Sequence, residues 1–418
     1  MIRFAMTGAK LEFVARLLGL DIVYFVRGAF WLSFGLALTF LAGILLSSLF
    51  SKILSKEIFG QYSFLVAALG LVSVTALPGL PAVVSQAASE RRDGVLKDAI
   101  LLALRWSLLG TAVLLLMSLY FTRENPPLAL ALAFSALAFP ISSAFGLYGP
   151  YLAGKKKFRD VAIFTTVSQY ASLVATAIAL FWFPSLVMIA LFSVWSTAIV
   201  NLLLTIWVFR FRENNKRDLK LLSFGKHLSF SQILPTASEY LDRFLIPALL
   251  GFSNLAIYSI AILIPTQIHY FLKTFISLSQ PKIAQMSNRE IKRNLLFKSL
   301  QLELSIIVVV LAYIILAPFI FEILYPSYKN ESMVLSQVFA LSLLYFPTNM
   351  LSLAKIKARA TSIIYKSNSS IAIVSVLLLL VMVPIWGLWG AILAKVLGKI
   401  LQGIIQVYFF RKLYSQLS

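Results

Sequence analysis

Glu239, Asp242 and Arg243 put three ionisable groups within five residues of "PTASEYLDRFLIPALLG" (235–251), a run that is otherwise dominated by apolar side chains. Carboxylates and a guanidinium at this spacing can neutralise one another, hold a cation or proton, or meet an anion. Ser229, Gln232, Thr236, Glu239 and Arg243 follow at steps of three or four, which places them on one helical face. Pro235 falls inside that stripe and predicts a kink. A second stripe carries Tyr258, Thr266, His269, Tyr270, Lys273, Ser277 and Gln280, interrupted by Pro265. Lys395, Lys399, Gln402 and Gln406 make a third at the same spacing. In hydrocarbon each charge costs roughly 2.5–3.5 kcal/mol, so such faces are expected to turn toward one another and border water.

Each group also has a plainer reading. Glu239 and Arg243 at i,i+4 make a neutralised structural pair, and Asp242 pairs with a neighbouring helix. His269 packs as a core histidine. Lys399 snorkels toward the basic side of the membrane, whereas Lys395 lies too deep for that. Arg105 sits at a span end, and Arg27 either anchors the first span or faces the mouth of a cavity. The signs separate functions all the same. Bases inside the apolar runs are Arg105, Arg243, Lys273, Lys395 and Lys399, against the acids Glu239, Asp242, Glu303 and Glu322. His269 and Lys273 have no acid on their own run. A cavity with surplus positive charge attracts anions, with Arg243, Lys273, Lys395, Lys399, His269 and Arg27 as candidate substrate contacts. Glu239 and Asp242 are the candidates for ion coupling or charge tuning.

Catalysis finds no footing. The chain has no cysteine, which excludes disulfides, thiolate metal sites and cysteine nucleophiles, and its two histidines are too few for a metal cluster. There is no GxxxxGK[ST], HExxH or GxSxG motif, and no link long enough to fold as a catalytic domain. The expected protein is not an enzyme and takes no cofactor or metal.

The elements that must position these stripes are membrane helices. The chain has 418 residues, 60% of them hydrophobic and 13% charged, about half the charge of a soluble protein. Twelve apolar runs are expected as helical spans: 28–50, 61–86, 99–121, 128–152, 161–183, 186–209, 227–250, 253–280, 297–322, 332–354, 363–384 and 387–410. Each is about twice the length of a barrel strand and lacks dyad alternation. The net charge of +21 resolves into topology: of 37 Lys and Arg, 28 lie in or beside the links on the N-terminal side and four on the other, with five inside spans. That asymmetry places both termini in the cytoplasm and argues against a nucleic-acid partner. Residues 1–27, with Arg3, Lys10, Arg16 and Arg27, read as an uncleaved basic amphipathic segment.

The most charged link, "FRFRENNKRDLKLLSFGK" (209–226), divides six spans from six, giving lobes 1–215 and 216–418. An even number per half predicts a parallel repeat. "FGQYSFLVAALG" (59–70) is answered by "LAIYSIAILIPT" (255–266), "SQAASERRDG" (85–94) by "SQPKIAQMSNRE" (279–290), and "AGKKKFRD" (153–160) by "AKIKARATSIIYK" (354–366).

Two stretches carry a resemblance to a known family. "SKEIFGQYSFLVAALGLVSVTALPGLPAVVSQ" (55–86) is similar to the acidic residue, glycine and tyrosine that open span 2 in polysaccharide exporters of the MOP superfamily. "YLDRFLIPALLGFSNLAIYSIA" (240–261), with Asp242, Arg243, Gly251, Tyr258 and Ala261, resembles that family's junction of spans 7 and 8. The superfamily includes O-antigen and exopolysaccharide flippases, the lipid II flippase and the MATE drug exporters. The resemblance implies an all-α membrane protein of twelve helices, in two six-helix lobes around a cavity formed mainly by spans 1, 2, 7 and 8. It implies alternating access that flips undecaprenyl-pyrophosphate-linked oligosaccharides across a bacterial or archaeal cytoplasmic membrane for O-antigen, capsule or exopolysaccharide synthesis. Proton or monovalent-cation coupling, and polymerase or chain-length proteins as partners, would go with it. Span 1 departs from the family in having no charge of its own unless Arg27 belongs to it. A MATE-like cation-coupled drug or metabolite exporter is the alternative, with an acidic cavity as its signature. A membrane-embedded glycosyltransferase or polymerase is a further one.

Overall fold

The structure, a computed structural model, describes residues 22–285, 288–357 and 361–416. Arg3, Lys10 and Arg16 lie outside them, as do the side chains of Arg27, Ser277 and Gln280. Every regular element among the described residues is a helix. Nine stretches among them are long and apolar enough to cross a membrane, and the last, Tyr365–Ser415, is long enough to do so twice.

The first half begins with α1 (Ile22–Ile53), then α2 (Lys56–Val72) and α3 (Leu80–Ser89), which together form the second span. It continues with α4 (Gly94–Phe121), α5 (Pro126–Ala144), α6 (Tyr148–Gly154), α7 (Phe158–Trp182) and α8 (Leu186–Val208). In the second half, α9 (Leu219–Phe230), α10 (Ile233–Tyr240) and α11 (Asp242–Leu250) make up the seventh span. Then come α12 (Phe252–Gln285), α13 (Asn288–Leu324), α14 (Lys329–Ala340), α15 (Asn349–Lys357) and α16 (Thr361–Gln416). Links rich in Lys and Arg gather at one end of the bundle, called here the basic end.

The breaks follow local chemistry. In the second span a 3-10 turn, Ser73–Ala76, leads to Leu77 in the left-handed region, φ 61° and ψ 73°. Pro78 follows, and α3 restarts with Pro81 in its first turn, where a missing N–H costs nothing. The expected continuous stripe of the seventh span is divided. The helix ends at Phe230, the Gln232 N–H turns back to the Ser229 carbonyl at 3.0 Å, and Pro235 sits in the first turn of α10. Proline therefore starts a helix here where a kink within one was expected. At Leu241 the torsions stay helical, φ −56° and ψ −39°, so α10 runs into α11 with little change of direction. Pro265 does not interrupt α12 at all.

The eleventh and twelfth spans are merged in α16 and separated at Gly387, φ 56° and ψ −131°. A Cβ there would find space, its nearest neighbour being Leu250 at 3.8 Å, so the torsion alone selects glycine. Gly387→Ala is expected to cost about 1–3 kcal/mol and to lower the melting temperature of the purified protein in detergent.

Three apolar clusters place the seam between the halves. The largest joins Phe50, Phe59, Phe64 and Leu65 of the first half to Ile246, Tyr258, Tyr325 and Tyr328 of the second. At the basic end there are two further cores, divided by half except that Leu222 of α9 packs into the one of the first half. One contains Leu77, Val83, Val95, Tyr148 and Tyr151, and the other Ile291, Leu295, Leu351, Phe410 and Tyr414. Shared core at one end and separate cores at the other describe halves that meet opposite the basic end and part toward it. Exposure agrees: Ile233, Leu234, Tyr270 and Phe271 stand open on α10 and α12, while Leu255, Ala256 and Tyr258 are fully buried.

Candidate functional site

The charges of the seventh span meet partners from the eighth and twelfth. Asp242 is buried. It accepts a hydrogen bond from the Tyr258 hydroxyl and an ion pair from Lys395 Nζ at 3.2 Å. Lys395 Nζ also donates to the Glu239 backbone carbonyl at 2.9 Å. One ammonium group thus pins the twelfth span to the α10–α11 junction. The second oxygen of Asp242, Oδ1, is buried with no hydrogen-bond partner among the described residues, a cost of about 1–3 kcal/mol for an unsatisfied buried acceptor.

Arg243 takes a different direction. Its guanidinium lies over the Tyr240 ring, 5.3 Å from the centroid, and that ring rests on Gly70 of α2. A Cβ at Gly70 would come within 2.3 Å of it. Arg243 is therefore held at the seam by a cation–π contact to a ring that occupies the space a Cβ on the facing helix would take. Among the described residues no ion pair joins Glu239 to Arg243. The i,i+4 spacing gives way to a tertiary pair because Asp242, on the inner side of the turn, is the carboxylate that faces the twelfth span.

A second cluster lies nearer the basic end. His269 stacks on Tyr345 with ring centroids 5.8 Å apart and planes at 16°, its Nε2 is 3.5 Å from the Tyr345 hydroxyl, and Phe346 meets it edge-on. Lys399 Nζ stands 4.9 Å from the centroid of the same Tyr345 ring and donates to Gln402 Oε1 at 3.4 Å. Lys273, one turn beyond His269 on α12, is exposed. Tyr345 thus collects two of the expected residues without having been expected itself. It sits in a 3-10 stretch, Leu341–Thr348, whose period differs from the α-helical spacing of the stripes. Arg105 is exposed on α4, and Gln406 turns away to the buried Lys355. Of Arg27, only its place in α1 is described.

At the closed end, opposite the basic one, the first span contributes through serines. Ser47 Oγ and the Tyr325 hydroxyl are 2.7 Å apart, and Ser48 and Ser51 donate to the Leu324 carbonyl at 3.0 and 3.2 Å. Their i, i+1, i+4 pattern within "LLSSLFS" was a visible polar stripe. Lys56 pairs with Glu331, and Ser253 donates to Glu57 at 3.0 Å. Gly60 touches the start of α12 so closely that a Cβ would fall 1.8 Å from the Phe252 carbonyl oxygen. At the basic end, the link between halves is tied to the first half. Asp93 accepts from Lys155 Nζ at 3.1 Å and from the Glu213 N–H at 2.8 Å, Arg92 pairs with Asp218, and Ser229 accepts from the Gly79 N–H at 2.9 Å. Among the described residues no cluster of His, Asp and Glu could hold a metal ion.

Comparison with known proteins follows this geometry closely in fold. A model of the family described as "Polysaccharide biosynthesis protein" matches residues 25–287. Among curated proteins none matches the chain. A multidrug resistance MATE family transporter of the MOP superfamily, solved facing inward, is 13% identical with a TM-score of 0.70, covering 90% of this chain and 94% of its own. A MOP superfamily transporter from Pyrococcus furiosus, whose binding pocket is described as having reverse polarity, is 13% identical with a TM-score of 0.67, covering 94% and 96%. An outward-facing MATE transporter gives 0.62 at 13% identity, covering 94% and 96%. These establish the MATE-like fold.

Proposed function

Because the chain belongs to the polysaccharide biosynthesis protein family, we propose that it flips an undecaprenyl-pyrophosphate-linked oligosaccharide across the cytoplasmic membrane by alternating access. Two lobes, 1–215 and 216–418, would rock about the seam, with α9 riding on the first. The basic end faces the cytoplasm, which puts both termini there and makes the described state open to the side where the lipid-linked sugar is assembled. Proton or cation coupling and contact with a polymerase belong to the same reading.

The observation that carries it is the set of bases between the halves. Arg243, Lys273, Lys395 and Lys399 converge from three helices, against Asp242 and Glu239 on the acid side. Lys395 is matched by Asp242, which leaves Arg243, Lys273 and Lys399 against the one remaining acid, Glu239, a surplus of two positive charges. A pyrophosphate and acidic sugars complement that balance. Arg243→Ala with Lys273→Ala is expected to reduce translocation of a fluorescent prenyl-pyrophosphate oligosaccharide in proteoliposomes by roughly a hundredfold, two charge-assisted contacts being lost. A rate within about twofold of the parent, a difference of only a few tenths of a kcal/mol, removes these residues from the path.

One observation favours the second reading, a cation-coupled drug exporter: the unpartnered buried Oδ1 of Asp242, together with the MATE fold. Resistance profiling of a deletion strain separates the two. Drug sensitivity with intact surface polysaccharide supports the exporter.

A further inference from the structure

A pocket of about 970 Å³ opens on the outer flank of the second half, away from the seam, between α13, the Tyr345 turn and the last part of α16. Its lining is graded along the membrane normal. Glu303, Arg411 and Lys412 carry its charges toward the basic end, Thr348 sits beside Gly403, and Leu344, Ile400, Ile404 and Val407 make its apolar wall. Glu303 lies in the first half of α13 (Asn288–Leu324) and Arg411 in the last two turns of α16 (Thr361–Gln416), so both stand toward the basic end. Gly403 keeps the middle of the pocket open.

From this we propose that the pocket is a binding site for an amine-bearing phospholipid of the surrounding bilayer, of the phosphatidylethanolamine type. Arg411 and Lys412 take its phosphate, Glu303 takes its ammonium, and an acyl chain lies along Ile400, Ile404 and Val407. Glu303 decides the lipid class. It is half-buried on a membrane helix and among the described residues has no ion pair, so a ligand with a cationic group relieves it. A purely anionic lipid, whether phosphatidylglycerol or a prenyl pyrophosphate, satisfies the two bases but is repelled by the carboxylate. The site also touches the transport machinery. Tyr345 lines the pocket and also meets His269 and Lys399, so a bound lipid bears on the ring that both of them contact.

Native mass spectrometry of the full chain in detergent, titrated with dioleoyl phosphatidylethanolamine, dioleoyl phosphatidylglycerol or undecaprenyl pyrophosphate, tests this directly. The wild type is expected to retain phosphatidylethanolamine in preference to the other two. Glu303→Gln is expected to weaken phosphatidylethanolamine binding roughly tenfold, the loss of one charge-assisted contact, while phosphatidylglycerol binding holds or rises. Gly403→Leu, which fills the pocket, is expected to reduce retention of both, with melting temperature reporting that the chain is folded. Equal retention of the two phospholipids by the wild type overturns the proposal, as does an unchanged preference in Glu303→Gln. Tighter retention of undecaprenyl pyrophosphate, insensitive to Glu303, would instead assign the pocket to the tail of a transported lipid. None of these outcomes depends on whether the protein flips oligosaccharides.

Discussion

Lys395→Met alone is expected to destabilise the protein by about 3–5 kcal/mol, and Lys395→Met combined with Asp242→Asn to recover most of that loss. The asymmetry comes from burial. Asp242 is 1% exposed, and its ionised form is held by two donors, the Tyr258 hydroxyl and Lys395 Nζ. Removing the ammonium leaves a carboxylate in an apolar setting with one neutral donor and an oxygen that already lacks a partner. Removing the carboxylate is milder, because Lys395 keeps the Glu239 carbonyl at 2.9 Å and is itself less buried. With both substitutions in place, an amide and a thioether stand where the two ions were, and no charge is stranded. Thermal melting of the four proteins gives the coupling energy of the cycle. Additive losses would mean that the two residues stabilise the fold independently, against the geometry. The double variant also separates structure from function. If the pair only neutralises itself, the protein carrying Asp242→Asn and Lys395→Met transports at the parental rate. If Asp242 exchanges a proton or cation during the cycle, transport fails in a protein whose melting temperature has been restored.

That pair marks the limit of what the sequence discloses. The spans were legible because hydrophobic runs of this length have one stable solution in lipid, a helix whose backbone satisfies itself. Lys395 was legible as an ammonium too deep to reach water, and Asp242 as a carboxylate needing a neighbour. That each answers the other was not legible, since 152 residues and a tertiary fold intervene. Spacing suggested Glu239 with Arg243, and the structure gives Arg243 to Tyr240 and Lys395 to Asp242. Breaks were half legible. Pro235 and Pro265 look alike in sequence, yet one begins a helix and the other is carried through, because proline's cost depends on where its N–H would have pointed. Tyr345 escaped notice because its value lies in what crosses its faces, His269 and Lys399, both from other helices.

Gly60→Val is expected to abolish translocation while leaving each half folded. The residues that opened the second span in the family-like motif, Glu57, Gly60 and Tyr62, all stand at or behind the closed end of the seam. Glu57 accepts from Ser253, Tyr62 packs edge-on against Phe50 at 4.8 Å, and Gly60 lets α2 lie on the first turn of α12. The neighbouring ion pair of Lys56 with Glu331 is solvent-facing and is worth at most about 1 kcal/mol. Gly60 matters more, because a Cβ 1.8 Å from a backbone oxygen cannot be relieved by turning a side chain. The helices must separate, which costs the described state its closure and shifts the population toward the state open at the other end. The chain's lack of cysteine makes this measurable, since a single Ala256→Cys, fully buried in the seam, is then the only thiol. Labelling by a membrane-impermeant maleimide from the side opposite the basic end should be slow in the parent. It should be at least about tenfold faster with Gly60→Val, an equilibrium shift of about 1.4 kcal/mol. Gly149→Ala, where nothing lies within 4 Å of the added atom, serves as the control and should change neither rate. Unaltered labelling together with parental translocation in Gly60→Val would mean that the halves do not close on this glycine, and the gate would have to be sought elsewhere along the seam.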